Sequence, residues 1–66
     1  VKYFFTIPTA LPDTESRALY AKLKPFGTNL TILESKSYIY GHVDMKADVD
    51  EIERIISEAG YSVERG

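Results

Sequence analysis

The sequence predicts an α+β domain in which six elements follow one another as β-α-β-β-α-β. Four antiparallel strands form one sheet, and both helices lie on one of its faces. Three observations carry this expectation. Val1–Ile7 and Tyr38–Val43 alternate side chains with the period of two that a half-buried strand requires. Ile52, Ile55, Ile56 and Ala59 recur at i, i+3, i+4 and i+7, the apolar stripe of an amphipathic helix. Pro25 with Gly27, and later Gly60, punctuate the chain where a helix has to stop.

In the first strand Val1, Tyr3, Phe5 and Ile7 share one face, and Lys2, Phe4 and Thr6 share the other. Pro8 offers no N–H to a ladder, so the strand ends near Ile7. Pro8-Thr9-Ala10-Leu11-Pro12 is a stiff loop. Asp13 is placed to cap the first helix by accepting a hydrogen bond from a free N–H of its first turn. Glu15 adds negative charge beside the positive end of the helix dipole. Leu19 and Leu23 form the apolar side of that helix, Lys22 and Lys24 enrich its end, and Pro25 stops it. Leu30–Leu33 reads as the second strand, with its phase open between Leu30/Ile32 and Thr31/Leu33. Glu34-Ser35-Lys36-Ser37 connects it to the third strand, Tyr38–Val43. Asp48 and Glu51 read as a capping pair that opens the second helix. Gly60 suits the left-handed position just past its end. Tyr61–Glu64 is the last strand.

Right-handed crossovers then give a ferredoxin-like arrangement over residues 1–66, read as one domain, with the first and third strands central. The expected core is Tyr3, Phe5, Ile7, Leu19, Leu23, Ile39, Val43, Ile52, Ile55, Ile56 and Val63.

Composition narrows the function classes. Hydrophobic residues at 44% and charged residues at 27% describe a globular chain rather than a disordered one. Ordering a chain this short costs roughly 1.5 kcal/mol per residue, which its apolar burial only about matches, so no large buried catalytic cavity is expected. The absence of cysteine excludes disulfides, thiolate metal sites, Fe–S clusters and cysteine nucleophiles. No apolar run approaches the ~20 residues of a membrane-spanning helix, and no signal-peptide pattern opens the chain. The expected location is the cytoplasm and no membrane partner is expected. With Val1 as the first residue, residues 1–66 read equally as a whole protein or as a piece of a longer one. The net charge of −2 is polar along the chain: +2 up to Val43 and −4 from Asp44 onward.

Tyr40-Gly41-His42-Val43-Asp44 and the run Asp50-Glu51-Ile52-Glu53-Arg54-Ile55-Ile56-Ser57-Glu58-Ala59-Gly60-Tyr61-Ser62-Val63-Glu64 resemble a heavy-metal-associated domain of the copper-chaperone type. The first stretch is similar to that family's third strand and its exit. The second is similar to its second helix, Ala-Gly-Tyr break and last strand. Length and element order agree over nearly the whole chain. The resemblance implies the same fold. It does not imply metal transport, because the family's Met-x-Cys-x-x-Cys loop after the first strand is replaced by Ile7-Pro8-Thr9-Ala10-Leu11-Pro12-Asp13-Thr14. Such relatives dock their partners around this loop, which makes Leu11, Lys22 and Lys24 candidate interaction residues.

The remaining candidates come from the residues themselves. His42 is the only histidine and has no second ligand or nucleophile at a suitable spacing. Asp44, Asp48, Asp50 and Glu51 cluster near the start of the second helix but lack the tight glycine turn of a hard-cation loop. No paired acid and base suggests catalysis, so the chain is expected to be non-enzymatic, with no cofactor and no specific metal. Phe4, Tyr38, Tyr40 and His42 fall on the sheet face away from the helices. RNA-recognition modules place stacking aromatics on the same two central strands, and Lys36-x-Tyr38-x-Tyr40 resembles part of their third-strand motif. The acidic net charge, and the presence of only Lys2 and Lys36 beside that face, argue against a nucleic-acid partner. The expectation is a small interaction module that meets a protein partner or a second copy of itself. Binding of RNA or single-stranded DNA through the open-face aromatics is the alternative.

With no thiolate near the loop after the first strand, titration with Cu(I), Zn²⁺ or Cd²⁺ should leave the amide resonances of Thr9 to Thr14 unchanged. Stoichiometric, saturable shifts centred on these residues would contradict that.

Overall fold

The computed structural model describes residues 1–65 and has the expected order of elements. They are β1 (Lys2–Ile7), α1 (Asp13–Leu23), β2 (Asn29–Leu33), β3 (Lys36–His42), α2 (Lys46–Glu58) and β4 (Glu64–Arg65), with a 3₁₀ turn at Lys24–Phe26 after α1. The strands pair antiparallel in the order β2-β3-β1-β4, which puts β1 and β3 at the centre. Both helices cover one face. Leu19 and Leu23 of α1 and Val49, Ile52 and Ile56 of α2 pack into one core with Tyr3, Phe5, Ile7 and Ile39 of the sheet. The two crossovers are of the same hand, so both helices arrive on the same side, and the other face of the sheet has no layer over it.

Several expectations need correction. Leu11 is not a surface residue: it is 4% exposed and belongs to the core. The Ser37 hydroxyl explains this, because it accepts from the Leu11 N–H at 3.0 Å and donates to the Thr9 carbonyl at 2.8 Å. That fully buried side chain folds the proline loop inward over the end of the sheet. Val49 joins the core, while Ile55 and Val63 only flank it, half-buried. The reason is the phase of α2. The helix begins at Lys46, earlier than the Asp48 start expected, and Val49, Ile52 and Ile56 face the sheet.

Neither aspartate caps its helix. The N-cap residues are Pro12 and Met45, both extended and without a side-chain hydrogen bond. Asp13 and Asp48 lie inside the first turns, where their charge still complements the helix dipole. The β2–β3 connection is also shorter than the four residues expected. Leu33 pairs with Lys36, leaving only Glu34-Ser35 in the turn, and Glu34 has φ 56°.

The end of α2 follows the expected glycine logic. Gly60 has φ 94°; its N–H bonds the Ser57 carbonyl at 3.0 Å, and the Tyr61 N–H reaches the Ile56 carbonyl at 3.4 Å. This is the Schellman pattern of a helix that ends in a left-handed residue. It holds Tyr61 at the helix end, so β4 begins at Glu64 rather than at Tyr61. There Phe5 pairs with Arg65 and Thr6 with Glu64. Arg65 lies 5.8 Å over the Phe5 ring and forms ion pairs with Asp50 and Glu53, both at 2.7 Å, which tie the short strand to α2. The open phase of β2 is resolved as well: Leu30 packs on the core, and Thr31 turns to the uncovered face.

This packing separates two isoleucines that look equivalent in the helical stripe. Ile52→Ala should lower stability by about 2–5 kcal/mol through lost burial and a residual cavity. Ile55→Ala, on the half-buried flank, should cost clearly less. Midpoints of denaturant unfolding measure both, and equal losses would contradict the observed facing of α2.

Candidate functional site

Alternation along three strands builds the uncovered face in rows. Lys2 pairs with His42; Phe4 pairs with Tyr40, which pairs with Asn29; Thr6 pairs with Tyr38, which pairs with Thr31; and Lys36 pairs with Leu33. Directly paired residues point to the same side of a sheet, and successive rows stand about 7 Å apart along the strands. The three aromatic residues therefore occupy adjacent positions on the two central strands. The Phe4 ring stacks near Tyr40, with centroids 6.1 Å apart and planes at 25°. It also lies 5.6 Å from Tyr38 at 38°. Phe4 and Tyr40 remain 41% and 37% exposed, and Tyr38 is half-buried. Together with Thr31 and Leu33 the rings line a shallow depression across β1, β3 and β2.

Two hydrogen bonds hold this surface in place. On the open side the Tyr40 hydroxyl and Thr31 Oγ1 are 3.0 Å apart. On the buried side the Tyr3 hydroxyl donates to Thr28 Oγ1 at 2.8 Å. A methyl group on Gly41 would sit 2.8 Å from the Tyr3 oxygen, so glycine beside Tyr40 leaves the room that phenol occupies. Burial pushes the Tyr3 pKa up, against the smaller opposing effect of the Thr28 bond, and the group stays a neutral donor.

The electrostatics of this face differ from those of the whole chain. Lys2 and His42 stand in the row at one end of the aromatic cluster, and Lys36 stands at the other. Glu64, opposite Thr6 on β4, is the acid that the register places on this side. Asp48, Asp50, Glu51, Glu53 and Glu58 all belong to α2, in the layer behind the sheet. This overturns the argument from net charge. The −2 is concentrated away from the open face, so the expectation that nucleic acid is no partner is withdrawn. The exposed aromatic cluster, flanked by lysines, argues the other way.

The structure thus brings Phe4, Tyr38, Tyr40 and His42 together on one surface, as the alternation indicates. It does not join Lys22 and Lys24 to them, because those residues lie at the end of α1 in the helix layer. Leu11 is buried. Asn29, Thr31 and Leu33 are part of the face, and the unresolved phase of β2 hid them. Among the described residues no group of three or more His, Cys, Asp or Glu side chains is arranged to hold a metal ion. Among the described residues no helix is long and apolar enough to cross a membrane. Comparison with protein-family models, curated proteins and solved structures gives no match for this chain.

Because Tyr40 faces outward and Ile39 is fully buried, substitutions at these neighbours should differ sharply. Ile39→Ala should cost about 2–5 kcal/mol. Tyr40→Ser should cost about 1–2 kcal/mol, mainly its ring contact with Phe4. Thermal or denaturant unfolding compares them; a larger loss at Tyr40 would contradict the facing of β3.

Proposed function

We propose that this domain is a non-catalytic module that binds single-stranded nucleic acid on its open sheet face. The observation that carries this is the contiguous, exposed cluster of Phe4, Tyr38 and Tyr40 on the two central strands. Every base has a π-face, and stacking on an aromatic side chain contributes about 1–3 kcal/mol per base. Two or three bases on this cluster account for weak to moderate affinity, with a Kd of roughly 10–100 µM. Lys2 and Lys36, at the two ends of the cluster, are placed to meet phosphates. Duplexes are disfavoured because their bases are not free to lie flat on the rings.

The same reading treats the chain as a metal-less domain of the heavy-metal-associated type. The loop after β1 carries no thiolate, and its Leu11 is buried in the core. Binding on such a scaffold moves from the loop to the sheet.

The salt dependence distinguishes this site from a general polyanion surface. For single strands, log K falls with log[salt] at about −0.7 per neutralised phosphate, so two lysine contacts give a slope near −1.4. Fluorescence polarisation with labelled single-stranded oligonucleotides between low and physiological salt measures it. Phe4→Ala with Tyr40→Ala should weaken binding at least ~10-fold while circular dichroism shows an intact fold. A much steeper slope, or unchanged affinity in the double variant, would place binding elsewhere. Absence of binding at low salt would overturn the reading in favour of a protein partner.

A further inference from the structure

The two long sides of the aromatic cluster are chemically different. On the β4 side stands the Glu64 carboxylate, which repels phosphate. On the β2 side stand neutral groups: Asn29 opposite Tyr40, Thr31 opposite Tyr38, and the Tyr40 hydroxyl itself. Thr31 Oγ1 and the Tyr40 oxygen lie 3.0 Å apart, and either can be the donor. One bond between two hydroxyls uses one proton, so the pair keeps a free O–H donor and free acceptor lone pairs beside the rings. Lys2 and Lys36 bracket the cluster three rows apart, a distance of about 20 Å along the strands. A single strand laid between the two lysines and kept clear of Glu64 would pass on the β2 side, where the hydroxyl pair stands.

We infer that the ligand is RNA rather than DNA, recognised through a ribose 2′-hydroxyl by the Thr31–Tyr40 pair. This rests on the single-stranded nucleic-acid reading above. The 2′-hydroxyl both donates and accepts, and it is the group by which a protein separates the two polymers. A neutral hydroxyl pair complements it in both roles, whereas a deoxyribose leaves the pair unmatched. Lysine contacts alone do not provide this selectivity, because both polymers carry the same phosphates.

The test compares oligouridine with oligodeoxyuridine, which hold the base constant. The wild-type domain should bind oligouridine roughly 5–10-fold more tightly, the scale of one or two exposed hydrogen bonds. Thr31→Val with Tyr40→Phe removes both hydroxyls and keeps the ring and the β-branched shape. In this variant the ratio of oligouridine to oligodeoxyuridine affinity should fall to about one, whatever the altered ring does to the affinity for both polymers. Equal binding of the two polymers by the wild type, with both lost in Phe4→Ala, would overturn the RNA inference and leave the nucleic-acid reading standing. An RNA preference that survives in Thr31→Val with Tyr40→Phe would overturn the role of the pair. No binding of either polymer would remove both.

Discussion

A sheet side chain must point to one face or the other, and in this domain only one face is covered. That constraint organises the molecule. Both crossovers bring their helices to the same side, so Tyr3, Phe5, Ile7 and Ile39 meet α1 and α2 in the core. Phe4, Tyr38 and Tyr40, one residue away in each case, have no layer above them. A shift of one residue in the pairing of β1 with β3 would exchange the two sets and destroy the core. The register that holds the fold together is therefore the same register that assembles the aromatic surface.

Buried polar contacts strengthen this arrangement where the chain is irregular. Ser37 sits on the core side of β3 yet carries a hydroxyl, and it satisfies both Leu11 N–H and Thr9 carbonyl in the loop after β1. Tyr3 with Thr28 does the same between β1 and the segment leading into β2. Among the described residues no buried side-chain nitrogen or oxygen is left without a partner, so the desolvation cost of burying such groups is offset by hydrogen bonds. The ion pairs of Arg54 and Arg65 are exposed and add much less, although Arg65 also anchors a strand of only two residues.

The regular parts of this fold were readable from the sequence because period and punctuation agree in them. Alternation placed β1 and β3 in the correct phase, and Gly60 marked the end of α2. What escaped depended on contacts between distant residues. Leu11 lies in a loop whose proline content suggests exposure, and only the Ser37 bonds reveal that it turns inward. Asp13 and Asp48 have the chemistry of caps, but the backbone enters each helix earlier, at Pro12 and Met45. Val49 and Ile55 exchange roles because four apolar positions spread around more of a helix than one sheet can cover. For the site, three aromatics and His42 were visible, and the contribution of β2 was not. Leu30, Thr31, Ile32 and Leu33 include apolar residues in both phases, so periodicity alone could not choose between them. The expectation against nucleic acid leaned on the acidic charge of the whole chain, whereas a ligand meets the distribution of charge between the two layers.

Gly41 marks a boundary in how this surface can change over generations. Positions 4, 38 and 40 face outward and can exchange one side chain for another while the core behind them stays as it is. Position 41, next along the same strand, has less latitude, since a side chain there would press on the Tyr3 phenol and crowd the Gly27 carbonyl oxygen. The domain therefore holds a revisable outer text on a fixed page. Descendants of this chain can acquire a different ligand through a few outward substitutions, and the glycine should be among the last residues to drift.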